Sequence, residues 1–412
     1  MANVLGVYLH IPFCRSKCDY CDFYSLPGGE ELMDRYQKAI LAQMKSMLPR
    51  LKGRTVDTVY FGGGTPSYYG EKRLRELLGF LQRHLSLAKN AEITVECNPD
   101  TVDLKSLTRL RKAGVNRISL GMQSADPRQL KCVHRIHDPQ QVVWAVEDIR
   151  AAKIDNLSLD LIYGLPGQTM DSWLDTIRTA LSLSPDHLSC YGLKVEEGTP
   201  LARRVDQEDV DLPDGDSQAD FYLEAVDRLQ AAGFRQYEIS NFSRPGMESR
   251  HNLKYWMGRE YVGFGPGAHS YLDGVRYAYP RDLAGYLSAL EAGQSVALSE
   301  SETIPPREQA REYLLLRMRT LQGIEEWEYR RSFGLNFEPI ARRLEFFESR
   351  RWAEQTEHRW HFTPQGFLLS NPLIADLLDA QAGTLTEPQI DWETLRPPVQ
   401  EPKFLNRWRN ST

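Results

Sequence analysis

Apolar residues gather along this chain in short continuous runs. Each run leads into a polar or glycine-rich loop and then into a segment with helical periodicity. LGVYLHIP precedes EELMDRYQKAILAQMKSML, VDTVYF precedes GGGTP and EKRLRELLGFLQRHL, and AEITVECNP precedes DLKSLTRLRKAG. NRISLGMQS then precedes DPRQLKCV, NLSLDLIYGLP precedes SWLDTIRTALSL, and HLSCYGL follows. Unbroken apolar runs are the mark of strands covered on both faces. Their alternation with helices through six units predicts a parallel sheet in an α/β fold. A partial (β/α)6 barrel and an open doubly wound sheet both satisfy the pattern, and both place ligands at the carboxyl ends of the strands. The polar and glycine residues of the chain fall at those ends.

Past about residue 200 the rhythm changes. SQADFYLEAVDRLQAAGF is an amphipathic helix and RQYEISNFS is strand-like. HNLKYWMGREYVGFGPGAHSYLDGVRYAY has little periodicity and is expected to pack as loops against the first domain. REYLLLRMRTL, FEPIARRLEFFESR and NPLIADLLDA are helical, with WAEQTEHRWHFTPQG as a hairpin before the last of them. The expected division is a β/α domain over residues 1–240, a connecting segment over 241–300, a mainly helical, winged-helix-like domain over 301–380, and a Pro-rich tail over 381–412 that is extended and partly disordered.

Composition narrows the function classes. A length of 412 residues exceeds one ordinary core, and 41% apolar with 26% charged residues describes a soluble globular protein. The net charge of −6 gives no general attraction for nucleic acid. The helices of the winged-helix-like end interleave acids with their bases, so no nucleic-acid partner is expected and that reading is the weakest alternative. No apolar run reaches the roughly 18 residues of a membrane span. The amino terminus, MANVLGVYLHIPFC, lacks a secretory or transit pattern. Six scattered cysteines do not make a disulfide framework, so a reducing compartment, the cytoplasm, is expected.

Three of those cysteines, Cys14, Cys18 and Cys21, crowd into CRSKCDYC. Three thiolates can hold a [4Fe–4S] cube with one iron left open, a zinc ion completed by a residue such as His10, or serve as redox thiols. GGGTP follows the second strand without the Gly-Lys-Ser/Thr ending of a phosphate loop; its glycines let a ligand approach the backbone. Glu96, Gln123 and Asp160 end successive apolar runs and can ring one pocket, where carboxylates would take sugar hydroxyls or an ammonium group. Singly, each would be a helix cap or surface group.

The spacing C-x3-C-x-aromatic-C, with Tyr20 as the aromatic, resembles the radical S-adenosylmethionine (SAM) superfamily. YLHIPFC, GGGTP, LGMQS, HRIHD, DLIYGLPGQT and GPGAHSY, spanning Tyr8 to about Leu378, resemble its oxygen-independent coproporphyrinogen III oxidase branch. The resemblance implies a [4Fe–4S] cluster on Cys14, Cys18 and Cys21, on the radical SAM form of the partial barrel. It implies S-adenosylmethionine held by Tyr8, Tyr20, Gly63, Gly64, Thr65, Glu96, Gln123, Arg135, Asp160 and His269. Two arms of the branch differ. The oxidase has a further cysteine two residues after the third and a long segment before the cluster. Here Phe23 stands at that position and thirteen residues precede Cys14. HemW-type haem chaperones carry H-N-x-x-Y-W, matched by His251, Asn252, Leu253, Lys254, Tyr255 and Trp256. An imidazole is an ordinary haem ligand and flat aromatics suit a porphyrin. The resemblance therefore implies haem as cargo, with His251, Tyr255 and Trp256 as candidate contacts, and an apo-haem protein as recipient. The oxidase activity, begun by a 5′-deoxyadenosyl radical, is the alternative. Nothing in the sequence identifies the electron donor.

Overall fold

The computed structural model describes residues 4–383, and the Pro-rich tail expected from residue 381 lies almost wholly outside them. Six parallel strands follow the six apolar runs: β1 (Val4–Ile11), β2 (Thr55–Gly63), β3 (Ser86–Cys97), β4 (Arg117–Gln123), β5 (Asn156–Tyr163) and β6 (His187–Gly192). They pair in chain order. Helices Glu30–Leu51, Glu71–His84, Leu104–Ala113, Pro139–Ala151 and Met170–Ser182 make the crossovers. Three of these helices begin with capping boxes, on Asp103, Asp138 and Thr169, where short polar side chains satisfy first-turn N–H groups. The helix Pro139–Ala151 extends the fourth unit beyond DPRQLKCV.

Leu5, Val7, Leu9 and Ile11 on one face of β1, with Val59 and Phe61 of β2, are fully buried, and β4 is buried at every position, so the centre of the sheet is covered on both faces. Each such side chain contributes roughly 1.5–3 kcal/mol by leaving water. The parallel set does not close on itself. On the far side of β6 stand two antiparallel strands, β7 (Arg235–Glu238) and β8 (Asn241–Ser243).

The stretch 251–279 within the segment 241–300, expected as loops, is largely regular structure. It forms a helix, Arg250–Trp256, and strands β9 (Tyr261–Phe264), β10 (His269–Leu272) and β11 (Val275–Ala278). β9 pairs parallel with β1, and β10, β11 and β12 (Glu300–Thr303) extend the same sheet to twelve strands. Glycines at 263, 265 and 267 mask the strand signal: an added Cβ on Gly263 would stand 2.3 Å from the His269 carbonyl oxygen.

The carboxyl-terminal module packs helices Pro306–Arg317, Glu326–Phe333, Glu338–Ser349 and Ser370–Ala382 on a sheet of β13 (Ile324–Glu325), β14 (Ala353–Thr356) and β15 (Arg359–Phe362). The expected hairpin is β14–β15. Backbone hydrogen bonds from Ile239 N to Arg319 O and from Leu321 N to Tyr237 O tie the module to the edge of the large sheet.

Candidate functional site

A cavity of about 490 Å³ opens at the carboxyl ends of the parallel strands. Cys14, Cys18 and Cys21, on the loop after β1, all border it. That loop is pinned by Cys14 N to Leu26 O (3.1 Å), Leu26 N to Pro12 O (2.9 Å) and Asp19 N to Val133 O (3.2 Å). The buried Asp19 carboxylate holds it from a second side, accepting from Arg204 Nη1 (2.9 Å) and pairing with His134 Nδ1 (2.7 Å). Thr65 Oγ1 donates to Cys14 Sγ (3.4 Å) and Arg135 Nη1 to Cys18 Sγ (3.5 Å). Burial raises the Cys14 thiol and pushes Cys21 up to about 11. A bound metal reverses that preference by stabilising thiolate.

Among the described residues no three His, Cys, Asp or Glu side chains converge closely enough for a single metal ion. His10, weighed above as a zinc ligand, has Nδ1 on the Tyr8 hydroxyl (3.1 Å) and Nε2 on Tyr24 O (2.8 Å). Three thiols of one loop that border a common cavity without converging on one point fit a multi-iron cluster better than a single ion. Cys97 also reaches the cavity, but its thiol is directed at Val95 O (3.7 Å).

The glycine run packs directly against the cysteine loop. Gly63 has φ +110°, and an added Cβ would stand 2.6 Å from the His10 ring. An added Cβ on Gly64 would stand 2.7 Å from Phe13 O. Gly64 N donates to Ile11 O (2.8 Å) and Thr65 N to Phe13 O (2.7 Å). Side chains there would force the two loops apart.

Glu96 accepts from the Tyr60 hydroxyl (2.7 Å) and Gly63 N (3.2 Å). Burial outweighs these bonds and moves its carboxyl up to about 7. Asp160 is raised by burial too, opposed by hydroxyl donors from Ser189 (2.9 Å), Ser119 (3.0 Å) and Ser158 (3.3 Å). Arg135 donates to Asn98 Oδ1 (2.9 Å) and Gly121 O (3.0 Å). Tyr20 and Gln123 complete the wall.

Two expected cofactor contacts do not border this cavity. Tyr8 stacks on Tyr60 at 6.2 Å and acts one layer behind it. His269 is exposed on β10, paired with Ala278 of β11. Conversely, Arg117, Ser119, Ser189, Tyr191 and Asn252 border the cavity unforeseen. The first three were legible as polar residues interrupting the apolar runs of β4 and β6; Asn252 was not, since its helix packs there from far along the chain.

The H-N-x-x-Y-W segment is the helix Arg250–Trp256. Glu92 accepts from Arg250 N and His251 N, each at 3.0 Å. His251 is 0% exposed; Nδ1 lies 2.8 Å from Thr58 Oγ1 and Nε2 2.8 Å from the Tyr255 hydroxyl. Its ring stacks on Tyr60 at 5.1 Å. Burial, then Lys254 and Arg117, lowers its pKa to about 3. Trp256 is half-buried. The motif thus closes the floor beneath the cavity, with both imidazole nitrogens engaged.

The sequence profile of the Radical SAM superfamily matches residues 8–180, and that of the HemN C-terminal domain matches 304–369. The heme chaperone HemW of Mycobacterium tuberculosis is 41% identical over 323 residues, covering 77% of this chain and 82% of the relative. This chain belongs to the HemW family. The HemW of Escherichia coli is 34% identical over 376 residues, 90% of this chain and 97% of its own. That of Synechocystis is 35% identical over 400 residues, 91% and 96%. The coproporphyrinogen III oxidase HemN of Escherichia coli, a radical SAM enzyme, superposes with a TM-score of 0.78 over 92% of this chain and 90% of its own, at 23% identity. That likeness shows the shared fold. Among the described residues no helix is long and apolar enough to cross a membrane. The superfamily's [4Fe–4S] cluster and S-adenosylmethionine fit the cavity: three thiols stand on one wall, and Glu96, Asp160, Gln123 and the glycine run stand around them.

Proposed function

We propose that this chain is a cytoplasmic haem chaperone that binds haem and passes it to an apo-haem protein. The observation that carries the reading is the near full-length relation to HemW proteins, joined to the intact HNLKYW segment. Cys14, Cys18 and Cys21 would hold the cluster, which would supply electron-transfer chemistry to S-adenosylmethionine when loaded. Tyr20, Gly63, Gly64, Thr65, Glu96, Gln123, Arg135 and Asp160 orient that cofactor. Tyr8 supports Tyr60 from behind, and His269 contributes from β10 only if that edge moves toward the cavity.

Haem ligation by His251 requires the ring to give up Thr58 or Tyr255, so haem uptake is coupled to opening of the 250–256 helix. Tyr255 and Trp256 then offer flat faces to the porphyrin. Anaerobically reconstituted protein is expected to take up haem with a Soret band, and His251→Ala is expected to shift or remove that band. No uptake of haem, or formation of protoporphyrinogen from coproporphyrinogen III, would replace this reading with the oxidase activity.

A further inference from the structure

The cysteine loop has a second face. A small dent in the surface is lined by Arg15, Ser16, Cys18, Asp100, His134 and Ile136. Cys18 therefore borders both the cavity and this dent. It is partly accessible, and Arg135 Nη1 ties its sulfur to the backbone that carries His134 and Ile136. Ile136 is 50% exposed, an apolar side chain in a polar surround.

The charge exposed around the dent is cationic. Arg15 and Lys17 are exposed on the loop itself. Arg128 and Lys131 are exposed one turn apart on the helix Pro127–Cys132, which runs into His134. The acids of this face are withdrawn or paired. The side chains of Asp19 and Asp100 are 8% and 7% exposed; Asp19 pairs with Arg204 and His134, and Asp100 with Arg15. Asp126 pairs with Arg128, and Asp138 caps the next helix through Gln141 N. The whole chain carries −6, so this face runs against the general charge. An apolar spot among exposed cations steers an acidic protein to one orientation, in the small, salt-sensitive contact used by electron-transfer partners.

We propose that the face around Ile136 docks an acidic one-electron carrier protein, which reduces the cluster by way of Cys18. It rests on the reading of Cys14, Cys18 and Cys21 as cluster ligands. One electron crosses: the carrier is oxidised and the cluster reduced, with no bond made or broken and no proton moved. The carrier arrives from outside the cavity, which stays free for other ligands.

The experiment uses full-length, anaerobically reconstituted protein with a plant-type [2Fe–2S] ferredoxin as the acidic probe. Photoreduced 5-deazariboflavin, small and uncharged, is the control reductant. Cluster reduction is followed by rapid-freeze paramagnetic resonance, and binding of oxidised ferredoxin by calorimetry. Ile136→Glu and Lys131→Glu, both at exposed positions, are each expected to slow reduction by ferredoxin and weaken its binding by about tenfold at low salt. Reduction by deazariboflavin and iron content are expected to stay unchanged. Leu315→Glu, the same charge change on the carboxyl-terminal module, is expected to behave as wild type. Rising salt is expected to slow the wild type with ferredoxin only. Equal rates in all variants would overturn the proposal, and so would a loss shared with deazariboflavin or with Leu315→Glu. If the wild type takes up no iron and sulfide, the cluster reading fails, while the calorimetry still decides whether this face docks the acidic probe.

Discussion

The mouth and the floor of the barrel cavity are built in opposite ways. At the mouth, Cys14, Cys18 and Cys21 come from one short loop, and Gly63, Gly64 and Thr65 lie against it through backbone hydrogen bonds. Cys18 and Cys21 are partly accessible and Cys14 is buried, and the chemistry of all three comes from what they bind. At the floor, Thr58, Glu92, Arg117 and His251 come from four distant parts of the chain and are almost wholly buried. Their hydrogen bonds are made within the protein, Arg117 excepted. The mouth is organised to receive a cofactor and the floor to hold a helix in place. A ligand that needs His251 must therefore work against folding energy, whereas a ligand of the cysteines does not.

Single substitutions can break this contrast, and the largest effect belongs to the mouth. Replacing any of Cys14, Cys18 or Cys21 by alanine is expected to abolish the cluster, read as iron and sulfide content after anaerobic reconstitution, while the chain still folds. A variant retaining a full cluster would remove that residue from the ligand set.

The next effect is the pH dependence of stability. Folding lowers the pKa of His10 and His137 to about 4 and of His251 to about 3, and also lowers that of His187 well below its ordinary value, chiefly through burial. Their ordinary value is near 6.5, so below it the unfolded chain binds protons that the fold refuses, and stability falls with falling pH. Glu96 and Glu238, raised to about 7 by burial, act in the opposite sense between about 7 and their ordinary 4.5. The histidines outnumber them, leaving a net loss on the order of 2 kcal/mol per pH unit between roughly pH 6 and 5. Urea midpoints across that window check the sign; a midpoint that rises on acidification would contradict the neutral buried histidines.

Smaller effects separate the floor's contacts. Glu92→Gln weakens the acceptor for two helix N–H groups and is expected to cost about 1–3 kcal/mol, read from denaturant unfolding. Tyr255→Phe removes the partner of His251 Nε2 and is expected to cost about 1 kcal/mol; it also frees a nitrogen, so haem titration should show tighter uptake than in the wild type. Unchanged uptake would mean that this hydrogen bond does not gate the histidine. Phe23→Ala, at 68% exposure on the rim, is expected to change stability by less than about 0.5 kcal/mol and to leave cluster content unchanged, in contrast to its cysteine neighbours.

The same contrast governs what could be read from sequence. CRSKCDYC and GGGTP carry their geometry in local spacing, so the mouth was legible. The six strands were legible because parallel strands buried on both faces are unbroken apolar runs. The floor was hidden. HNLKYW looked like part of an aromatic loop because a short helix packed against β2 and β3 needs no amphipathic period of its own. The strand β9 was hidden by glycines whose small size lets backbones approach, and its pairing with β1 joins residues some 250 positions apart in the chain. Asn252 and Arg117 gave no signal as a pair, since only the folded sheet brings these distant parts of the chain to one cavity.

The chaperone reading stands or falls on haem transfer. Anaerobically reconstituted protein, loaded with one equivalent of haem and separated from free haem, is mixed with an apo-haem protein and followed by absorbance and by fractionation. Transfer faster than from free haem, and slowed when His251 is replaced by alanine, is the predicted result. Haem that never binds, or that stays bound while coproporphyrinogen III is converted to protoporphyrinogen, would contradict it.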